Sequence, residues 1–376
     1  MEKQEHLDQP LLMLTLLLLG LGLVCLFSAS YATAYENQDG NSAYFIIRQG
    51  VFAAAGVVAM FVLSKWDYHK LHYWAIPSLI VAAAVMLTIK IPGVKNMWVT
   101  INDATRWIKI PVIGITFQPS ELAKIAVILS FSSFATIFGR KKMRTLRWGI
   151  LPFMGIIGMF AVEMLWEKHL SGTMIIAVIG MAIIFFAGAN LAWFGAGIAG
   201  VAAAGIYYIK KNQYAMNRVK IWLDPFSEML GAGWQGSQSQ MAIGSGGFWG
   251  LGLGQSRQKH LYLPEPANDF IFAVWCEELG FVGGVLLVLL FAMLIWRGYY
   301  IALNASDKFG TLLAAGITTQ IAFQTFLNLA VVTGLFPITG ASLPFFSYGG
   351  TALLIQLAEM GILLAISRHM PATPEG

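Results

Sequence analysis

Asp269, Glu277 and Glu278 stand within LPEPANDFIFAVWCEELG (263–280), Asp269 just ahead of an apolar run and the two glutamates inside it. Carboxylates in such a setting are costly unless hydrogen-bonded, paired or neutral. Asp269 falls near a helix N-terminus, where the dipole favours a negative charge, so capping alone would account for it. Adjacent glutamates cannot both face one partner. At least one of Glu277 and Glu278 is therefore expected to be hydrogen-bonded or neutral in the bundle, and both read as structural. In QPSELAKIAVIL, Glu121 and Lys124 lie one helical turn apart, so they share a face and neutralise each other. That pair serves either as a brace for its helix or as a direct contact to a substrate or proton.

A second set of candidates lies in residues 210–268, nearly sixty residues with no obvious long apolar span. Arg218, Lys220, Arg257 and Lys259 alternate there with Trp222, Trp234, Trp249 and Tyr262. Cations interleaved with aromatics suit an anionic head group beside a lipid surface, and they equally suit simple interfacial anchoring. The run GSGGFWGLGLG lacks a G-K-[ST] ending and a flanking strand–helix unit, so it is no nucleotide loop. Its glycines instead allow a re-entrant or interfacial backbone to pack closely. His260 has no second histidine at ligand spacing, which argues against zinc. Cys25 and Cys276 both fall in apolar spans and give no disulfide framework.

The elements that must position these residues follow from composition. Of 376 residues, 57% are hydrophobic and 11% charged, with mean hydropathy +0.67. A soluble domain carries about a quarter charged residues, so this is an integral membrane protein. Apolar runs long enough to cross about 30 Å of hydrocarbon occur near 11–30, 44–64, 74–90, 120–138, 149–166, 172–188, 191–209, 270–296, 311–334 and 343–367. The fold class expected is an all-α polytopic membrane protein: about ten transmembrane helices in a single domain, 1–376, with a large extracellular loop between helices seven and eight. Only Lys3 precedes the first span as a basic residue and further spans follow, so that span is retained as helix one rather than a signal peptide. KWDYHK (65–70) and GRKKMRTLR (139–147) carry dense positive charge on one side, predicting that side and both termini to be cytoplasmic. The net charge of +5 has no compact basic domain to put it to use on nucleic acid; contact with membrane lipid is the expected outlet. No strong internal repeat of the carrier type is present.

FQPSELAKIA, the long stretch NRVKIWLDPFSEMLGAGWQGSQSQMAIGSGGFWGLGLGQSRQKHLYLPEPANDFIFAVWCEELG and PITGASLPFFSYGGTALL together resemble the SEDS family (shape, elongation, division and sporulation) over nearly the whole chain. GQSRQKHLYLPE and LPFFSYGGT are closer to its FtsW and SpoVE branch than to RodA. The resemblance implies a peptidoglycan glycosyltransferase polymerising lipid II at the outer face of the bacterial cytoplasmic membrane, beside a single-pass class B penicillin-binding transpeptidase. It implies that Asp269 matches the essential loop aspartate, that Gln118, Pro119, Ser120, Glu121 and Lys124 match the helix-four motif, that Arg218 and Gln238 match large-loop positions, and that Arg106 matches the RW motif. Two stretches depart from the family pattern: EKHLSGT (167–173) where relatives often carry a PDLGT-like sequence, and DATRW where they carry GA-R-RW.

Lipid II presents a pyrophosphate at the membrane surface and a sugar hydroxyl as acceptor, so cations must meet the leaving group and a carboxylate the hydroxyl. Asp269 is expected to act as general base or as ligand of a divalent cation, Mg²⁺ or Mn²⁺, with Arg218, Lys220, Arg257 or Lys259 on the pyrophosphate; no nucleotide is required. A single displacement inverts the anomeric centre. A lipid II flippase is the alternative, and it would need polar residues spread through many helices. Here they gather near one surface and at Glu121, Lys124 and Glu359.

Overall fold

The computed structural model describes residues 7–88, 98–101, 104–110, 115–229, 231 and 233–371; Lys3 and most of 89–103 lie outside them. The helices are α1 (Gln9–Asn37), α2 (Tyr44–Ser64), a 3₁₀ turn (Tyr68–Trp74) running into α3 (Ala75–Leu87), α4 (Pro119–Met143), a π turn (Leu146–Ile150) running into α5 (Leu151–Trp166), α6 (Leu170–Phe186) and α7 (Leu191–Lys211). They continue as α8 (Gln213–Leu223), α9 (Trp234–Gly246), α10 (Ile271–Asn304), α11 (Lys308–Val332) and α12 (Gly350–Arg368). Among the described residues nine helical segments are long and apolar enough to cross a membrane, and α6 is a shorter apolar helix. The ten predicted spans are thus matched in number and order.

Local chemistry sets the ends. The Asp8 carboxylate accepts from the Leu11 amide at 2.9 Å, and Asp307 accepts from the Gly310 amide at 3.0 Å, each closing a first turn. Pro119 opens α4, where its missing N–H costs nothing. The last span differs from expectation: 343–349 is loop, and α12 starts only at Gly350. Pro344 disfavours a helical residue before it, and Phe345 has a positive φ of 64°, so an apolar run that looks like helix is instead buried coil.

α4, α11 and α12 form the buried centre, with α2 laid along α12 and α1 and α6 on the flanks. Apolar contact is no reward in lipid, so close approach matters more. Gly361 of α12 is such a contact: a Cβ there would stand 2.6 Å from the Met60 carbonyl oxygen of α2. Apolar side chains such as Val58, Val62, Ile76 and Ile80 face outward.

Two features were not expected. A three-stranded antiparallel sheet, β1 (Trp98–Ile101), β2 (Ala104–Ile110) and β3 (Ile115–Phe117), caps the bundle ahead of α4. The 210–268 segment also holds helices of its own, α8 and α9. After α9 the chain makes the expected close-packed glycine turn. Leu251 and Gly252 amides donate to the carbonyls of Glu277 and Glu278, while Phe281 and Val282 amides donate to those of Gly247 and Phe248. α10 breaks at Gly280 (φ 66°, ψ −165°), and the loop satisfies the backbone groups that the break exposes.

Candidate active site

The N-terminal end of α4 opens on a cavity of about 430 Å³ bounded by the sheet, α2, α6, the turn before α10, and α11 with its following loop. Seven of the residues singled out from sequence line it: Arg106, Gln118, Ser120, Glu121, Lys124, Arg218 and Asp269. They come from four separate stretches, held together by hydrogen bonds from side chains to carbonyls.

Asp269 sits one residue before the cap of α10. The Asn328 amide donates to the Asp269 carbonyl at 2.8 Å and to the Ala341 carbonyl at 2.6 Å, tying the aspartate's backbone to the loop after α11. Ser347 Oγ donates to the Asn268 carbonyl at 2.7 Å and fixes the same turn from the other side. Burial, then the nearby Glu265 carboxylate, push the Asp269 carboxyl up to about 6, while Arg106 and Arg218 pull against that rise. It is therefore mainly ionised at neutral pH and basic enough to take a proton.

Arg106 owes its aim to a bulge. Trp107 pairs with Val99 and Thr105 with Thr100, so one extra residue, Arg106, is left out of the ladder. Its Nη2 donates to the Lys168 carbonyl at 2.5 Å. Lys168 takes a left-handed φ of 54°, which turns that carbonyl into reach. A Cβ on Gly340 would lie 3.2 Å from Asp269 Oδ2 and 3.4 Å from Arg106 Nη1, so carboxylate and guanidinium flank one point. The Arg218 guanidinium donates to the Ile338 carbonyl, and Trp222 Nε1 donates to the Gly334 carbonyl at 2.8 Å, docking α8 against the same loop.

The expected Glu121–Lys124 pair is present, at 2.8 Å and buried. Lys124 Nζ also donates to Gln324 Oε1 at 3.0 Å, and Gln324 Nε2 donates to the Ser342 carbonyl at 3.1 Å. A brace and a cavity-lining charge are one object here.

Four sequence candidates lie elsewhere. Lys259 is buried, but its Nζ pairs with Glu278 Oε1 at 3.0 Å and donates to Ser28 Oγ at 2.9 Å, so its charge is committed to a structural latch. Glu277 accepts from Ser256 Oγ at 2.5 Å and from the Arg257 amide at 3.0 Å, so both glutamates are structural, as expected. Arg257 and Lys220 point into the open, and Gln238 is buried in α9, away from the cavity. Arg218 and Lys220 are two apart on one helix and cannot share a face.

Sequence reasoning missed Arg48, His169, Glu265 and Gln324, all of which line the cavity. A lone arginine inside an apolar span was a signal for Arg48. His169 lies in the divergent EKHLSGT stretch, with Nε2 3.5 Å from Gln118 Nε2; burial, then Arg106 and Lys124, lower its pKa well below the usual range, so the ring is neutral. The buried His169 Nδ1 and Ser120 Oγ have no hydrogen-bond partner among the described residues. Next to them Glu167 is pushed up to about 8 by burial and then Glu163, against the pull of Arg106.

Residues 9–371 match the family profile described as "Cell cycle protein", FtsW/RodA/SpoVE. Stage V sporulation protein E of Bacillus subtilis (strain 168) is 40% identical over 369 residues, 98% of this chain and 98% of that protein. A probable peptidoglycan glycosyltransferase FtsW of Geobacter sp. (strain M18) is 37% identical over 372 residues, 98% of this chain and 99% of that one. A solved chain from "Structural coordination of polymerization and crosslinking by a peptidoglycan synthase complex" superposes with a TM-score of 0.77 at 26% identity, covering 96% of this chain and 98% of the other. Rod shape determining protein RodA of Thermus thermophilus shares the fold at a TM-score of 0.70 and 24% identity over 98% of both chains. With motifs, helix order and end-to-end identity in agreement, the chain belongs to the FtsW/RodA/SpoVE family of cell cycle proteins.

Proposed function

We propose that this protein is a peptidoglycan glycosyltransferase that polymerises lipid II at the outer face of the bacterial cytoplasmic membrane. The observation that carries this reading is the Asp269 carboxylate held beside Arg106 within one cavity at the end of the bundle, with Arg218 close by. The name of the Geobacter relative, a probable peptidoglycan glycosyltransferase, supports it.

In this reading the two guanidinium groups hold the pyrophosphate of the donor, stabilising the charge that grows as undecaprenyl pyrophosphate leaves. Asp269 accepts the proton of the acceptor hydroxyl as its oxygen attacks the anomeric carbon. One C–O bond forms, the anomeric C–O bond to pyrophosphate breaks, and configuration inverts. Ser120 Oγ and His169 Nδ1 offer unsatisfied polar atoms to the sugars.

A divalent cation fits the donor set in one way. Among the described residues no group of three or more His, Cys, Asp or Glu forms a cage. Mg²⁺ commonly uses one or two carboxylates together with substrate phosphates, and Glu265 would hold it here, joined by Asp269 only where that carboxylate serves as ligand in place of base. Bound there, the ion would offset phosphate charge. Beyond the membrane-embedded chain, a single-pass class B penicillin-binding transpeptidase is the proposed partner, and the same proposal has both termini in the cytoplasm, as the basic turn at 139–147 favours.

Purified protein given labelled lipid II should yield glycan chains resolved on a gel, with more product when Mg²⁺ or Mn²⁺ is supplied. No product under any divalent ion, with or without the transpeptidase, would refute the assignment.

A further inference from the structure

We propose that Glu359 is a buried proton-binding site: a neutral carboxylic acid that forms a two-way acid–amide pair with Gln320. Three helices each send two polar residues, one turn apart, into the centre of the bundle: Glu121 and Lys124 from α4, Gln320 and Gln324 from α11, Gln356 and Glu359 from α12. Glu121, Lys124, Gln324 and Gln356 line the cavity. Glu359 and Gln320 lie one turn deeper, 0% and 1% exposed, midway along their helices.

Hydrogen-bond accounting places the proton. Gln320 Nε2 donates to Glu359 Oε2 at 2.7 Å. The remaining acceptors, Glu359 Oε1 and Gln320 Oε1, are both buried and have no partner among the described residues. Two lone acceptors facing a sealed interior need a donor. A single proton on Glu359 Oε1, donated to Gln320 Oε1, satisfies both atoms at once.

Charge leads to the same place. The charged groups acting on Glu359 are Lys124 and Glu121, both on α4, and Lys124 is already spent on Glu121 at 2.8 Å. α2, packed on the other side of α12, presents Met60 and Leu63 there. An ionised Glu359 would leave one uncompensated negative charge in the membrane interior; a protonated one leaves the cluster neutral. Gln324 and Gln356, each within a turn, give the site a short polar connection to the cavity.

The test needs no substrate and is independent of the proposed activity. Infrared difference spectra of wild type against Glu359→Gln, in membranes at neutral pH, should show the loss of one protonated-carboxyl C=O band. Gln320→Leu should shift that same band. Thermal midpoints of Glu359→Gln and wild type should coincide, since the amide reproduces a neutral acid in size and polarity. Loss of an ionised-carboxylate band instead, or a Glu359→Gln protein that fails to fold, overturns the proposal. So does a protonated band that appears only when sodium is exchanged for choline, which would make the pair a metal-cation site.

Discussion

In the proposed mechanism Asp269 carries both the chemistry and its pH dependence. Asp269→Asn should fold and insert as wild type yet lose polymerisation by about 100-fold or more, the usual weight of a general base; mere capping would survive, because asparagine caps as well as aspartate. Glycan yield per mole of inserted protein decides. The activity of wild type should rise with pH through about 6, where the carboxyl ionises. Arg106→Ala removes a cation that holds that value down, so the acid limb of the remaining activity should move to higher pH. The sign for stability is opposite. Because the folded state raises the Asp269 pKa from 3.8 to about 6, it binds more protons than the unfolded chain between these values, and stability falls as pH rises through the window. Asp269→Asn should therefore gain on wild type as pH passes 6, by ~1 kcal/mol once solvent screening is allowed for, read as detergent melts at pH about 5 and about 8. The Glu121–Lys124 pair was legible because its spacing is local, whereas Asp269 stood out as a carboxylate ahead of an apolar run and took its role only from the family resemblance. The sequence could not reveal that Lys259 is consumed by Glu278, or that His169 and Arg48 meet the same cavity, because those facts depend on how the 247–259 turn folds back on α10 and on which separate stretches the fold brings together.

At the scale of elements, two devices hold the cavity in shape, and each has a sharp test. Lys124→Ala strands the Glu121 carboxylate in the bundle and should cost about 3–5 kcal/mol. Lys141→Ala, on the exposed end of the same helix, should stay within about 0.5 kcal/mol. Equal melts for the two variants would contradict the buried pair. The break in α10 is the second device. A Cβ at Gly280 would stand 2.3 Å from the Gly250 nitrogen and 2.6 Å from the Phe248 carbonyl oxygen, on a backbone with φ of 66°. Gly280→Ala should therefore lower stability by at least about 3 kcal/mol and free the 247–259 turn, seen as proteolysis within that turn. Helices were legible because crossing lipid demands a long apolar run, whereas β1–β3 and the buried coil at 343–349 were not. ATRWIKI alternates too weakly against flanking loop, and LPFFSY is as apolar as any span, so only its neighbours decide that it packs as coil.

For the whole molecule, lipid II chemistry outside the cell requires the cavity and the 210–268 segment on the outer side, with the basic turn at 139–147 inside. α4 joins the two levels: Glu121 lines the cavity at its start, while Arg140, Lys141 and Lys142 occupy its last turn. The dense basic charge of the 139–147 turn supports that direction. Single cysteines in a background lacking Cys25 and Cys276 test it directly. Ser256 is unsuitable as a reporter, being buried against Glu277 at 2.5 Å, whereas Ser227 is exposed in the turn after α8 and Thr145 is exposed in the basic turn. Ser227→Cys should react with a membrane-impermeant maleimide in intact spheroplasts, and Thr145→Cys only after lysis. The reverse pattern would put Asp269 in the cytoplasm, where acceptor glycan strands are absent, and the polymerase reading would fall with it.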